Sequence, residues 1–150
     1  MGERYGSVGF MTTNAATRKT MLRLTGSTTL IFKVYEWIVG SDGSPADGVF
    51  VYEAQRTTTT GTMTSVTPEP LDTAHGLVAE ATAGSLATAE PTYAGVIALA
   101  IPLNARASQR WVAAPGGELV AARVASNGLG FGSRSPALTI STRCTVHHEE

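Results

Sequence analysis

The sequence predicts an all-β chain folded as an antiparallel β-sandwich, jelly-roll-like, with about eight strands, and three observations carry the prediction. Runs of β-branched, aromatic and aliphatic residues recur at short spacings along the chain. Turn-forming groups punctuate them, among them Asp42-Gly43, Asp47-Gly48, Pro115-Gly116-Gly117 and Asn127-Gly128. No long stretch repeats its apolar residues at the helical spacing of three and four.

Taken in order, residues 7–13 and 20–24 read as short strands around a polar turn, and residues 1–19 as an N-terminal arm. Residues 29–56 carry the strongest strand signal: 30–39 and 49–54 are strand-like, and the intervening GSDGSPADG is rich in turn residues, so a hairpin is expected. Side chains alternate across a strand. Pairing the two runs so that Lys33 meets Glu53, and Glu36 shares a face with Arg56 as a structural ion pair, places Phe32, Val34, Ile38, Phe50 and Tyr52 in the core. Tyr35 and Trp37 then point outward. Residues 57–93 read as one long Thr/Pro/Gly-rich connection, with a short strand at 62–66 and a helical turn at 85–89.

The nearly continuous apolar run 94–101 predicts a strand buried on both faces or at the centre of a sheet. Strands at 108–114 and 118–126 are expected to form a hairpin through Pro115-Gly116-Gly117. GLGFGSRSP reads as a flexible turn or bulge. The final strand, 137–148, has a clear period of two: Leu138, Ile140, Cys144 and Val146 on one face, Thr139, Ser141, Arg143, Thr145 and His147 on the other.

At 150 residues, with 43% hydrophobic and 15% charged, the chain is long enough to bury a core as one domain spanning residues 1–150. A net charge of −1 supplies no basic field for a nucleic-acid backbone. The N-terminus lacks the apolar core of a secretory signal, and no later run approaches the roughly 18 apolar residues of a membrane span. With Cys144 alone, no intrachain disulfide can form; on the apolar face of its strand it reads as a buried small hydrophobe.

Catalytic patterns are equally sparse, and no enzyme activity or cofactor is expected. GFGSRS lacks the second glycine and the following helix of a nucleophile elbow. His147 and His148 are adjacent, so in a strand their rings point to opposite faces and chelate one metal poorly; with Glu149 and Glu150 they read as a solvated tail. Asp42 and Asp47 lack the alternating acids and closing glutamate of a calcium loop and read as turn residues. Glu36 is the one interior-facing charge, with Arg56, Arg110 and Arg123 as candidate partners.

The combination of EWIVGSDG, the threonine tract before TPEPLD, SLATAEPTY, RWVAAPGGELV and a terminal strand ending HHEE resembles a family of small structural proteins of tailed bacteriophages, from about Val34 onward. The resemblance implies a capsid decoration, or cement, protein: a homotrimer on the capsid surface of the virion, made in the host cytoplasm, that ties neighbouring major capsid subunits together. Under that expectation the contact residues are Tyr35, Trp37, Thr58, Thr59, Thr60, Met63, His75, Arg143 and His147. The alternative is a carbohydrate- or receptor-binding sandwich of a phage tail or fibre, using Trp37 or Trp111 as a stacking platform.

Overall fold

The computed structural model describes residues 2–14, 17–74, 77–135 and 138–150, and among them every regular element is a strand. In chain order these are β1 (Arg4–Thr12), β2 (Lys19–Thr25), β3 (Lys33–Ser41), β4 (Val49–Thr57), β5 (Thr62–Val66), β6 (Glu69–Pro70), β7 (Thr82–Ala89), β8 (Tyr93–Asn104), β9 (Ser108–Val112), β10 (Leu119–Val120), β11 (Gly128–Arg134) and β12 (Ser141–Glu149). The first sheet runs β10-β3-β12-β1-β6, with β9 also on β3; the second runs β5-β7-β2-β11-β4-β8. Every pairing is antiparallel.

Pairing is nested: β1 with β12, β2 with β11, β3 with β9 and β10, β4 with β8. From β1 to β4 successive strands fall in alternate sheets, and from β8 to β12 they do so again when β9 and β10 count as one interrupted strand, as when one long hairpin is rolled up. The chain departs from an eight-stranded jelly roll in two ways. The stretch between β4 and β8 adds β5 and β7 to one sheet and β6 to the other, and the partner of β3 is split into β9 and β10. The core lies between the sheets, where Val34, Trp37, Val39, Cys144 and Val146 of the first meet Leu22, Leu24, Phe50, Tyr52, Ala54, Leu129 and Phe131 of the second. Trp37 and Phe131 are in ring contact, their centroids 5.3 Å apart.

The expected hairpin over 29–56 does not form. β3 and β4 are strands, but they lie in different sheets, and GSDGSPADG carries the chain across the sandwich. Phe32, Val34, Phe50 and Tyr52 are buried as expected. Trp37 is buried rather than outward, and Ile38 takes the outer side instead. The cause is a bulge: His147 pairs with Glu36 and His148 with Val34, so Tyr35 is an extra residue in β3 and alternation reverses beyond it. Even-numbered residues face in before the bulge and odd-numbered ones after it. The gap between β9 and β10 falls opposite the same residue, and the Ala113 amide donates to the Tyr35 carbonyl at 2.8 Å. Pro115-Gly116-Gly117 therefore spans a break in one edge strand instead of turning a hairpin.

Other expectations change for related reasons. β1 sits between β12 and β6, so residues 4–12 of the expected arm are a paired strand inside the first sheet. Residues 57–93 hold three strands, and 85–89 belongs to β7 instead of a helical turn. β8 is an edge strand, exposed along much of its length; Leu99, Ile101 and Leu103 pack against the core, and the run reads as continuously apolar because the outward positions are Ala98, Ala100 and Pro102. GLGFGSR is β11, near the middle of the second sheet, with Leu129, Phe131 and Ser133 inward and glycines outward. The HHEE end is a paired strand: His148 is fully buried, stacked on Tyr5, and Glu150 accepts the backbone amides of Glu80 and Ala81 at 2.8 Å.

Candidate functional site

The outer face of the first sheet gathers three of the expected contact residues. Beyond the bulge, β3 turns Glu36 and Ile38 outward, β12 turns Arg143, Thr145 and His147 outward, and β1 adds Arg4, Val8 and Phe10. His147 shares its Nδ1 with Glu36 Oε2 at 2.7 Å, and the Arg110 guanidinium donates to Oε1 of the same carboxylate. Arg110 and His147, not Arg56, are thus the partners of Glu36; Arg56 donates to the Val120 carbonyl at 2.7 Å. Burial by itself would raise the Glu36 pKa, but the hydrogen bonds from His147 and Arg110 outweigh it and hold the carboxyl below its ordinary value.

Tyr35 lies beside this group, 6.1 Å from the His147 ring and beneath the Arg4 guanidinium at 5.5 Å. Arg4 also pairs with Glu149 at 3.5 Å and Arg143 with Asp42 at 2.7 Å. Each arginine on this face has a carboxylate, so the surface is charged in detail and balanced in sum. Asp47 pairs with Arg106 at 3.4 Å. Among the described residues no group of three His, Cys, Asp or Glu side chains is placed to hold a metal ion. Cys144, buried on the inner face of β12, has its thiol pushed up to about 12 by desolvation, which keeps it protonated.

The other expected residues lie elsewhere. Thr58, Thr59 and Thr60 follow β4 and close the neck of the insertion: the Thr58 amide donates to the Thr92 carbonyl at 2.9 Å, and the Thr92 amide to Thr59 Oγ1 at 2.8 Å. Met63 sits on β5, its Cβ 2.9 Å from where a side chain on Gly84 would begin. Met63 lies in the second sheet and the three threonines in the turn between its strands β4 and β5, so the expected contact residues form two separate groups. His75 lies outside the described residues. Trp37 is 0% exposed and offers no platform for a sugar ring; Trp111 is partly buried against the core.

A feature that sequence reading missed is the free edge of β8. From Tyr93 to Asn104 the strand carries no charged residue, and its outer edge has no partner strand among the described residues. Val96 is 86% exposed, with Ile97 beside it. Folded proteins usually protect such an edge with charge, proline or a bulge. Here Pro102 interrupts one part of the edge, and the register shifts against Gln55 leave Ala98 and residues 94–96 out of step with β4, so Val96 projects from an irregular stretch that carries no charge. The signal was present as an apolar run without charge; mistaking it for a central strand hid it.

No family model, curated protein or solved structure matches this chain.

Proposed function

We propose that the protein is a structural subunit of a virion, a capsid decoration or cement protein that binds the outer face of a tailed-phage head as a homotrimer and bridges major capsid subunits. Its place is the capsid surface, reached after synthesis in the host cytoplasm, and its work is contact with other protein, without nucleic acid or membrane. The resemblance of the chain's turns and strand sequences to that family supports the reading. The observation that carries it is the open, uncharged β8 edge around Val96. Left bare, such an edge recruits other strands without discrimination; covered by a neighbouring subunit, it is an interface made of main-chain hydrogen bonds and small side chains. A trimer multiplies modest contacts of this kind into tight attachment.

The test uses empty phage heads stripped of surface proteins. The wild-type chain is expected to run as a trimer in light scattering and to saturate the heads in co-sedimentation. Val96→Lys, a change at an exposed position, is expected to keep the fold and to lower affinity for the heads at least about tenfold, roughly 1.4 kcal/mol. A wild-type chain that stays monomeric and never co-sediments with heads overturns the reading. Heads that bind Val96→Lys as well as wild type remove β8 from the interface.

A further inference from the structure

On the outer face of the second sheet lies a groove of about 270 Å³, lined by Arg23 and Thr25 of β2, Thr60, Gly61, Met63 and Ser65 of the β5 edge, and the β7 strand beside them. Arg23 is 2% exposed. Its Nε donates to Thr57 Oγ1 at 2.8 Å, and its two terminal nitrogens donate to Thr25 Oγ1 and the Ser126 carbonyl. All three acceptors are neutral, and among the described residues no carboxylate pairs with this guanidinium. Three of its five N–H donors are thereby used.

Two glycines make the burial possible. Gly84 on β7 and Gly130 on β11 flank Arg23 in register, so neither neighbour raises a side chain beside it. Burial lowers the Arg23 pKa to about 10, which leaves the side chain charged at neutral pH. A buried charge without a countercharge is costly, and proteins normally pair it. Each arginine discussed on the first sheet's outer face, by contrast, has such a partner. Around the groove, Thr60, Ser65 and Thr82 present hydroxyls that make no hydrogen bond to the described residues.

We propose that this groove is an oxyanion site, in which a bound anion supplies the missing countercharge to Arg23 and takes further hydrogen bonds from the Thr60, Ser65 and Thr82 hydroxyls. The ligand class is a small oxyanion, either a free tetrahedral ion such as phosphate or the carboxylate of an acidic side chain on a neighbouring protein. The proposal does not depend on the decoration role: it rests on the unpaired guanidinium, whereas that role rests on β8 at the opposite edge of the sheet.

The full chain, labelled with ¹⁵N, is titrated at constant ionic strength with inorganic phosphate, sulfate and acetate, and with chloride as the control. The expected result is a saturable shift of the Arg23 Nε–H signal and of the Thr60, Gly61 and Ser65 amides, with a dissociation constant on the order of millimolar or tighter. Saturation by phosphate and sulfate assigns a free tetrahedral anion, and saturation by acetate alone assigns a carboxylate. Thr60→Val combined with Ser65→Val leaves Arg23 in place at exposed positions and is expected to weaken binding about tenfold. Absence of saturable change at Arg23 with all three oxyanions, an equal response to chloride, or undiminished binding in the double variant overturns the proposal. If Arg23→Gln folds, it should abolish the response; a response that survives overturns the site as well.

Discussion

The two outer faces of the sandwich treat the same residue types in opposite ways. On the first sheet, full-length side chains stand on every strand, and arginines meet carboxylates at or near the surface: Arg4 with Glu149, Arg110 with Glu36, Arg143 with Asp42. On the second, β11 offers Gly128, Gly130 and Gly132 outward, and neighbours lie down in the space. The Tyr93 ring covers Gly130, the Arg18 stem covers Gly132, and the Arg18 guanidinium sits 4.0 Å above the Tyr93 ring. Glu53 there is buried and bridged by Arg18 at 3.4 Å and Arg134 at 2.9 Å. Burial pushes the Tyr93 hydroxyl up to about 12, where it stays protonated and bonds Thr20 Oγ1 at 2.6 Å. The lesson is that one face is a set of exchangeable surface pairs, while the other is a second packed layer laid over glycine.

Substitutions can break or sharpen that contrast. The internal reference is Trp37→Ala, which empties the layer that both sheets share and should cost about 4 kcal/mol in chemical denaturation. Next comes Gly130→Val: a Cβ there would stand 2.7 Å from Tyr93 Cε1 and 2.8 Å from its hydroxyl, so the ring must leave. A loss of about 2 kcal/mol is expected, despite valine's better strand propensity. If Gly130→Val is neutral, the second face is no packed layer and the comparison fails.

Glu36→Gln tests the best-buried pair of the first face and should cost about 1 kcal/mol at neutral pH. The folded carboxyl has a lowered pKa, so its contribution is present above the ordinary glutamate range and fades as pH falls through the folded value. Wild type and variant should therefore converge in stability in acid, which denaturation curves across that range will show. The smallest effect belongs to Arg143→Ala, whose pair with Asp42 is exposed on both sides. A double-mutant cycle with Asp42→Ala is expected to give a coupling within about 0.5 kcal/mol.

Strand identity was legible wherever burial on one face imposed a period of two. β5 falls at the expected residues 62–66, and β12 keeps the expected faces, with Cys144 and Val146 inward and Arg143, Thr145 and His147 outward. Strand partnership was not legible, because a turn-rich segment such as GSDGSPADG serves a hairpin or a crossing between sheets equally well. Which it serves depends on strands far along the chain. The Tyr35 bulge is of the same kind: it is defined by where β12, β9 and β10 meet β3, and no residue near Tyr35 announces it. β11 was misread because glycine lowers strand propensity locally, whereas the need for glycine comes from Tyr93 and Arg18, which arrive from elsewhere. Of the candidate contacts, Tyr35, Arg143 and His147 could be found by alternation once the bulge is allowed for; the bare β8 edge required knowing the sheet order.

Nesting β1 against β12 also sets an order in time. As the chain is made, β1 and β3 exist long before the strand that must lie between them, and each carries a row of unpaired amides and carbonyls facing that vacant place. The first sheet cannot be completed before β12 is made, and the place left for it is in the middle. Contacts of such long sequence separation place the chain among slow folders, in the range of milliseconds to seconds. Until β12 inserts, the interval is the stage at which one chain's strand can take the place meant for another's.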